Sequence, residues 1–356
     1  MNEHTAMNPM DAMNLVNAIG APHAGPLGEG GVLPLIFMAL MGLSLLIYVV
    51  LDGYDLGVGL LSATVGEADR DRMVASIGPF WDANETWLVL AVGLLLIAFP
   101  KAQGVVLTAL YVPVVLMLLG LILRGAAFDF RAKGDPAHKR AWDVAFAGGS
   151  ALAALSQGWM LGRYVTGFEG STAAQVFAAG IAMALTACYA LLGASWLLIK
   201  TEGDLQRRAV GWAKRAWPAV VAGLLVVSVA SPWLSPTVRA RWFDMPGLIA
   251  LAPLPLVALL ALATLRGLLN SHRVFGKLSW APFALTVVVL TLSFFGLSYS
   301  LYPFVVIDRI TIWDAAAADE SLRFLLIGAT LTMPVIAAYS LFSYRVFSGK
   351  ARALVY

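Results

Sequence analysis

Two aspartates lie three residues apart inside a long apolar stretch, Leu51-Asp52-Gly53-Tyr54-Asp55-Leu56-Gly57-Val58-Gly59. Helical spacing puts Asp52 and Asp55 on one face. A charge inside an apolar helix costs roughly 2.5–3.5 kcal/mol on insertion scales, so such residues are functional candidates from the outset. Carboxylates so placed could hold protons or a cation and face the interior of a helix bundle. The alternative is pairing with Lys or Arg purely to fix helix packing; the functional reading is favoured, because neither aspartate has a basic residue within one helical turn. Gly53 and Gly57 form a small-xxx-small pair that lets a neighbouring helix approach closely.

A second polar segment reads Phe80-Trp81-Asp82-Ala83-Asn84-Glu85-Thr86-Trp87. Asp82 and Glu85 have the spacing of a capping box, and Trp81 and Trp87 suit a membrane interface. Capping alone does not need four polar groups in five residues, which suggests a wet, lined cavity; both readings stand. Arg124, in Leu123-Arg124-Gly125-Ala126-Ala127-Phe128-Asp129-Phe130-Arg131, could snorkel to the interface. A structural ion pair with Asp82 or Asp129 is the favoured reading. Trp142-Asp143 reads as a helix N-cap, and Trp313-Asp314 as the cap of a turn.

Several chemistries lack their residues. His4, His23, His138 and His272 all fall outside the apolar stretches, so no histidine is placed to ligate an intramembrane haem, copper or iron. Met117, Met160 and Met183 read as packing. The single Cys188 can form neither an intrachain disulfide nor a cysteine metal site, and reads as a small buried residue. No P-loop, dinucleotide glycine motif or nucleophile–base constellation is present.

The elements that must carry these residues are membrane helices. Of the 356 residues 60% are hydrophobic and 13% charged, with a mean hydropathy of +0.80. Soluble domains are about 45–50% apolar and about 25% charged. Apolar windows long enough for a bilayer fall near 33–62, 80–99, 105–124, 143–164, 174–199, 218–234, 247–266, 281–304 and 323–347. With nine crossings the loops alternate in side. Six of the 24 Lys and Arg (Lys101, Arg163, Arg239, Arg241, Arg309 and Arg323) fall on one side, leaving 18 on the other. The positive-inside rule makes the richer side cytoplasmic. It predicts a disordered periplasmic tail over 1–32, a transmembrane domain over 33–347 and a cytoplasmic tail over 348–356. Residues 1–32 have no positive region followed by a short apolar one, as a secretory signal would. Basic residues in short clusters between apolar runs suit an anionic membrane surface rather than a nucleic-acid groove.

Together these segments resemble subunit II of the cytochrome bd-type quinol oxidases. The resemblance rests on Asp52–Gly59, Pro79–Trp87, Arg124–Lys133, Trp142-Asp143, Tyr302-Pro303-Phe304 and Ile312-Trp313-Asp314-Ala315, in order and spacing, and covers residue 33 onward. Asn84-Glu85-Thr86-Trp87 and Trp196-Leu197-Leu198-Ile199-Lys200-Thr201-Glu202-Gly203 look like the cyanide-insensitive branch. The resemblance implies an all-α subunit with two four-helix bundles and one peripheral helix, paired with a pseudo-symmetric subunit I. That partner would hold haem b, a second haem b or d, and the quinol site, so this chain would supply no cofactor ligands. It leaves room for a small single-helix subunit and implies contact with lipid and quinone. The expected reaction is quinol oxidation with reduction of dioxygen to water, drawing protons from the cytoplasm. Asp55 and Asp82 would form the core of a proton relay, with Asp52, Glu85 and Asp129 beside them. Gly53, Gly57, Trp81, Trp87 and Arg124 would shape the helix interfaces. Scaffolding of the subunit interface competes as a role for the same aspartates. A different class, an ion-coupled transporter using Asp52, Asp55 and Asp82, would be expected to show an internal repeat, and none is visible.

Overall fold

A computed structural model describes residues 31–133, 136–243, 245 and 247–351. Most of the tail expected over 1–32, and the last five residues of that expected over 348–356, lie outside the described residues. Among the described residues nine helices are long and apolar enough to cross a membrane. They are α1 (Leu33–Ser62), α3 (Trp81–Ala98), α5 (Tyr111–Lys133), α6 (Lys139–Val165), α7 (Thr172–Lys200), α8 (Gly203–Leu234), the pair α10 and α11 (Gly247–Leu251 and Pro253–Leu269), α12 (Ala281–Leu301) and α14 (Asp319–Val346). Short connecting helices are α2 (Glu67–Ile77), α4 (Pro100–Ala109), α9 (Pro236–Phe243) and α13 (Ile312–Ala315). Between α12 and α13 a small antiparallel hairpin pairs β1 (Phe304–Val306) with β2 (Ile310–Thr311).

The helix α1 is the hub, touching α3, α6 and α7. The chain packs α5 on α6, α6 on α7 and α7 on α8, while α11 and α12 pack on each other and on α8 and α7 respectively. The last span, α14, lies against α1 and α3 and is the least buried of the nine. The tightest crossing is between α1 and α7. A Cβ on Gly53 would come within 2.7 Å of the Tyr189 ring, and one on Gly57 would overlap the Tyr189 carbonyl. Gly193 faces Gly57 from the other helix, with Val58 N only 2.5 Å from where its Cβ would stand. Only glycine allows the two backbones this close.

Several boundaries differ from the hydropathy reading, and three have a plain physical cause. The third span starts at Tyr111, not near 105, because Pro113 has no N–H for the Ala109 carbonyl. The chain therefore breaks at Leu110 and the preceding residues form α4, with Ala102 and Val106 buried and Lys101 exposed. The sixth span was expected over 218–234, yet α8 begins at Gly203. Its basic first half is helical beyond the apolar window, and hydropathy does not register a helix that continues into water. The eighth stops at Leu301, two residues before Pro303, rather than at 304.

Candidate functional site

The polar residues of the first, second, third and ninth spans converge at one level of the bundle. Asp52, Asp55, Asn84 and Arg124 are all essentially inaccessible to solvent. Arg124, from the last half of α5, donates one guanidinium nitrogen to Asp52 Oδ1 and another to Glu85 Oε1, both at 2.6 Å. Asn84 donates through Nδ2 to Asp55 Oδ2 at 2.8 Å and to the Tyr54 hydroxyl at 3.0 Å. A ring closes through α14: the Tyr54 and Tyr344 hydroxyls are 2.6 Å apart, and Tyr344 donates to Asn84 Oδ1 at 3.2 Å. Among the described residues, Asp52 Oδ2 and Asp55 Oδ1 are buried without a hydrogen-bond partner within 3.5 Å, although the Tyr48 side chain approaches Asp52.

This geometry redistributes several expectations. Asp82 does not cap α3. Phe80 occupies the N-cap position with no side-chain bond, so the capping box is absent. The reason is that Glu85 is drawn to the guanidinium of Arg124 instead of its own helix terminus. Asp82 is exposed one turn from Glu85, which is itself partly exposed. Arg124 pairs with Asp52 and Glu85, not with Asp82 or Asp129. Asp129 lies on the exposed side of α5, just over one turn beyond Arg124. Trp81 packs on Phe128, with ring centroids 5.1 Å apart, and Arg124 stands over its ring at 6.0 Å. Trp87 is buried rather than interfacial.

Sequence reasoning did not single out Asn84, Tyr54 or Tyr344 as individual groups. The first two were inside quoted motifs; Tyr344 carried no signal, because its partner lies 290 residues earlier. Nor was the chain Tyr189–Gln157–Tyr48 expected. The Tyr189 hydroxyl donates to Gln157 Oε1, and Gln157 Nε2 to the Tyr48 hydroxyl, each at 2.7 Å. Tyr48 lies one turn before Asp52 on α1. A lone glutamine in an apolar span was the only visible hint.

Aromatic rings wall the site. Tyr54 stacks on Trp196 at 4.2 Å, and Phe80 on Tyr344 at 4.5 Å. Lys200 Nζ sits 5.1 Å from both the Phe80 and Trp196 rings and donates to the Phe347 carbonyl at 2.7 Å, which pins the end of α14 to the end of α7.

A separate network lies at the ends of α1, α5 and α6. Asp143 does not cap its helix, which begins at Lys139; it receives Arg131 Nε at 2.5 Å and Arg70. Two arginines facing it from other elements outweigh a single capping bond. Asp71 accepts from Arg131 Nη2 at 2.5 Å and from Lys139 at 3.3 Å, and Glu67 accepts from Lys139 at 2.6 Å. Burial alone would raise the Asp71 carboxyl, but its bonds to Arg131 and Lys139 outweigh burial and hold it below the usual carboxylate range. Asp314 does cap a turn, in a reciprocal capping box with Thr311. Among the described residues no group of three His, Cys, Asp or Glu is arranged to hold a metal ion.

These features define a multi-pass helical membrane protein with a buried, carboxylate-rich polar cluster. Residues 33–347 match the family described as cytochrome bd terminal oxidase subunit II, and the chain belongs to that family. It is 28% identical to the cytochrome bd ubiquinol oxidase subunit 2 of Bacillus subtilis, over 83% of this chain and 90% of that one. To the cytochrome bd-I ubiquinol oxidase subunit 2 of Escherichia coli K12 it is 27% identical, over 90% and 95%. Its fold resembles a chain in the structure of the bd oxidase from Geobacillus thermodenitrificans, with a TM-score of 0.72 at 18% identity, covering 89% of this chain and 98% of that one.

Proposed function

We propose that this chain, as subunit II of a bd-type quinol oxidase, carries protons from the cytoplasm toward the oxygen-reducing site. Reducing one dioxygen to two waters takes four electrons and four protons; two quinols supply the electrons. The haems, which pass those electrons to dioxygen, belong to the partner subunit in this reading. The donor set here does not suit them: His138 and His272 are exposed in turns outside the spans.

The observation that carries the proposal is the composition of the buried cluster. One guanidinium pairs with Asp52 and Glu85, Asp55 lies beside them on the Asn84 amide, and among the described residues two buried carboxyl oxygens have no partner within 3.5 Å. Three negative charges against one positive are costly to bury, and each proton bound relieves that cost. A partnerless carboxyl oxygen is also where a proton can sit. Exposed Asp82, then Glu85 at 25% exposure, then buried Asp52 and Asp55 form a graded series from surface to interior, with Asp129 further along α5. The positive-inside distribution supports a cytoplasmic location for that surface, with the N-terminus outside. Moving a unit charge across the full field is worth roughly 2.3 kcal/mol per 100 mV, so a polar path from the inside is a requirement for charge separation.

Asp55→Asn and Asp82→Asn test this in the purified complex. The expected outcome is unchanged haem content with oxygen consumption slowed at least tenfold for Asp55→Asn. Normal turnover in both variants would sink the relay. Loss of haem with loss of turnover would assign the aspartates to assembly, a reading that the Arg124–Asp52 pair favours for Asp52 alone.

A further inference from the structure

A cavity of about 970 Å³ opens where α1 and α6 end beside α2, outside the carboxylate cluster. Its wall changes character along its length. At the rim stand Arg70, Lys139 and Arg140 with the carboxylates Glu67 and Asp143. Below them lie Leu60, Val144, Ala147, Gly148 and Ala151, on spans that reach into the membrane.

The rim has one cation more than carboxylates, and the surplus is identifiable. Arg70 is bound to Asp143 and to the Ser62 and Val65 carbonyls; Lys139 is bound to Glu67 and Asp71. Arg140 is exposed, and no carboxylate among the described residues pairs with it. It lies in the first turn of α6, whose N-terminus has no side-chain cap and whose dipole favours an anion.

The apolar floor is open for a reason that packing does not supply. Gly148 and Gly149 are neighbours with opposite surroundings. A Cβ on Gly149 would come within 2.9 Å of Arg124 N, so glycine there serves the crossing with α5. A Cβ on Gly148 would meet nothing within 4 Å. Glycine inside a helix costs about 1 kcal/mol relative to alanine, and among the described residues no neighbour at 148 requires it. Val144, one turn away, is exposed. The result is a shallow apolar channel running from a cationic rim along α6.

We propose that this cavity is a binding site for an anionic phospholipid of the adjoining leaflet, with its phosphate on Arg140 and an acyl chain along Val144, Gly148 and Ala151. The hollow is open along one side rather than enclosed, as a groove for a bilayer lipid must be, and basic pockets at the cytoplasmic ends of spans suit anionic headgroups. The site does not depend on the proton relay, since none of its residues belongs to that cluster.

Native mass spectrometry of the intact oxidase complex, titrated with phosphatidylglycerol and separately with phosphatidylcholine, tests it. The wild type is expected to bind phosphatidylglycerol at least tenfold more tightly. Arg140→Glu should abolish that preference, and Gly148→Trp should lower occupancy by both lipids; haem content should stay at the wild-type level in each. Gly148→Trp faces open space, so it reports on the channel without disturbing the fold. Wild-type lipid binding in both variants overturns the site, as does a wild-type complex with no preference. Displacement of the lipid by glycerol 3-phosphate at equal concentration also overturns it, in favour of a soluble phosphate.

Discussion

Two networks of basic side chains and carboxylates occupy this bundle, and they are built on different charge balances. At the ends of α1, α5 and α6, Arg70, Arg131 and Lys139 meet Asp71, Asp143 and Glu67, three against three. Both oxygens of Asp143 and both of Asp71 are bonded. Deeper, Arg124 alone meets Asp52 and Glu85, with Asp55 beside them on an amide, and two carboxyl oxygens are left over. A charge-balanced network whose buried carboxyl oxygens are all bonded resists protonation near neutral pH and holds helices together. An unsaturated, negative one can take a proton up and release it. On the proposed function, this difference in stoichiometry and geometry is what sets a relay apart from a scaffold.

The largest effect should come from Arg124→Met, which strands Asp52 as a buried charge. Removing one partner of a buried pair costs about 3–5 kcal/mol, so little assembled, haem-containing complex should be recovered from membranes. Adding Asp52→Leu should recover assembly, since apolar replacement of a buried pair is often neutral, while oxygen consumption stays low. If the double variant respired normally, the deep network would be scaffold after all.

Next in size is Gly57→Val. Its side chain must displace the Tyr189 backbone, and overpacking of this kind costs about 1–3 kcal/mol, to be read as a lower thermal transition of the purified complex. Asp143→Asn probes the saturated network. It should lose about 1–3 kcal/mol of stability, as for an unsatisfied buried group, with turnover per haem unchanged. A fall in turnover matching that of Asp55→Asn would break the distinction drawn here.

The smallest effect belongs to Asp71. Its carboxyl is held below the ordinary value of about 3.9, so its contribution is complete above that value and is lost as the pH falls through the lower folded one. The group is nearly half exposed, and solvent screening keeps the contribution under about 1 kcal/mol. Asp71→Asn should therefore remove only a small part of acid destabilisation, seen as a shallower loss of stability below about pH 4.

The apolar windows and paired aspartates made much of this legible from the residues alone. Long hydrophobic runs register in any sliding window, and a charge inside one is conspicuous because it is costly. What stayed hidden depended on partners from other helices. Glu85 had the spacing of a capping residue, and only the placement of Arg124 from α5 turned it inward. Asp143 likewise had a plausible local role until Arg70 and Arg131 reached it from two other elements. The break at Leu110 was written in Pro113, but hydropathy sums over such interruptions.

The hydrogen bond between Tyr54 and Tyr344 joins the first span to the ninth. Spans enter the membrane in the order they are translated, so the aspartates and Asn84 are in place long before Tyr344 is made. The ring around Asn84 is therefore completed only when the ninth span joins the first two. A chain interrupted anywhere before residue 344 would carry the carboxylates but leave their aromatic wall open. Closure of that ring therefore distinguishes a bundle whose ninth span is in place from one whose ninth span is not.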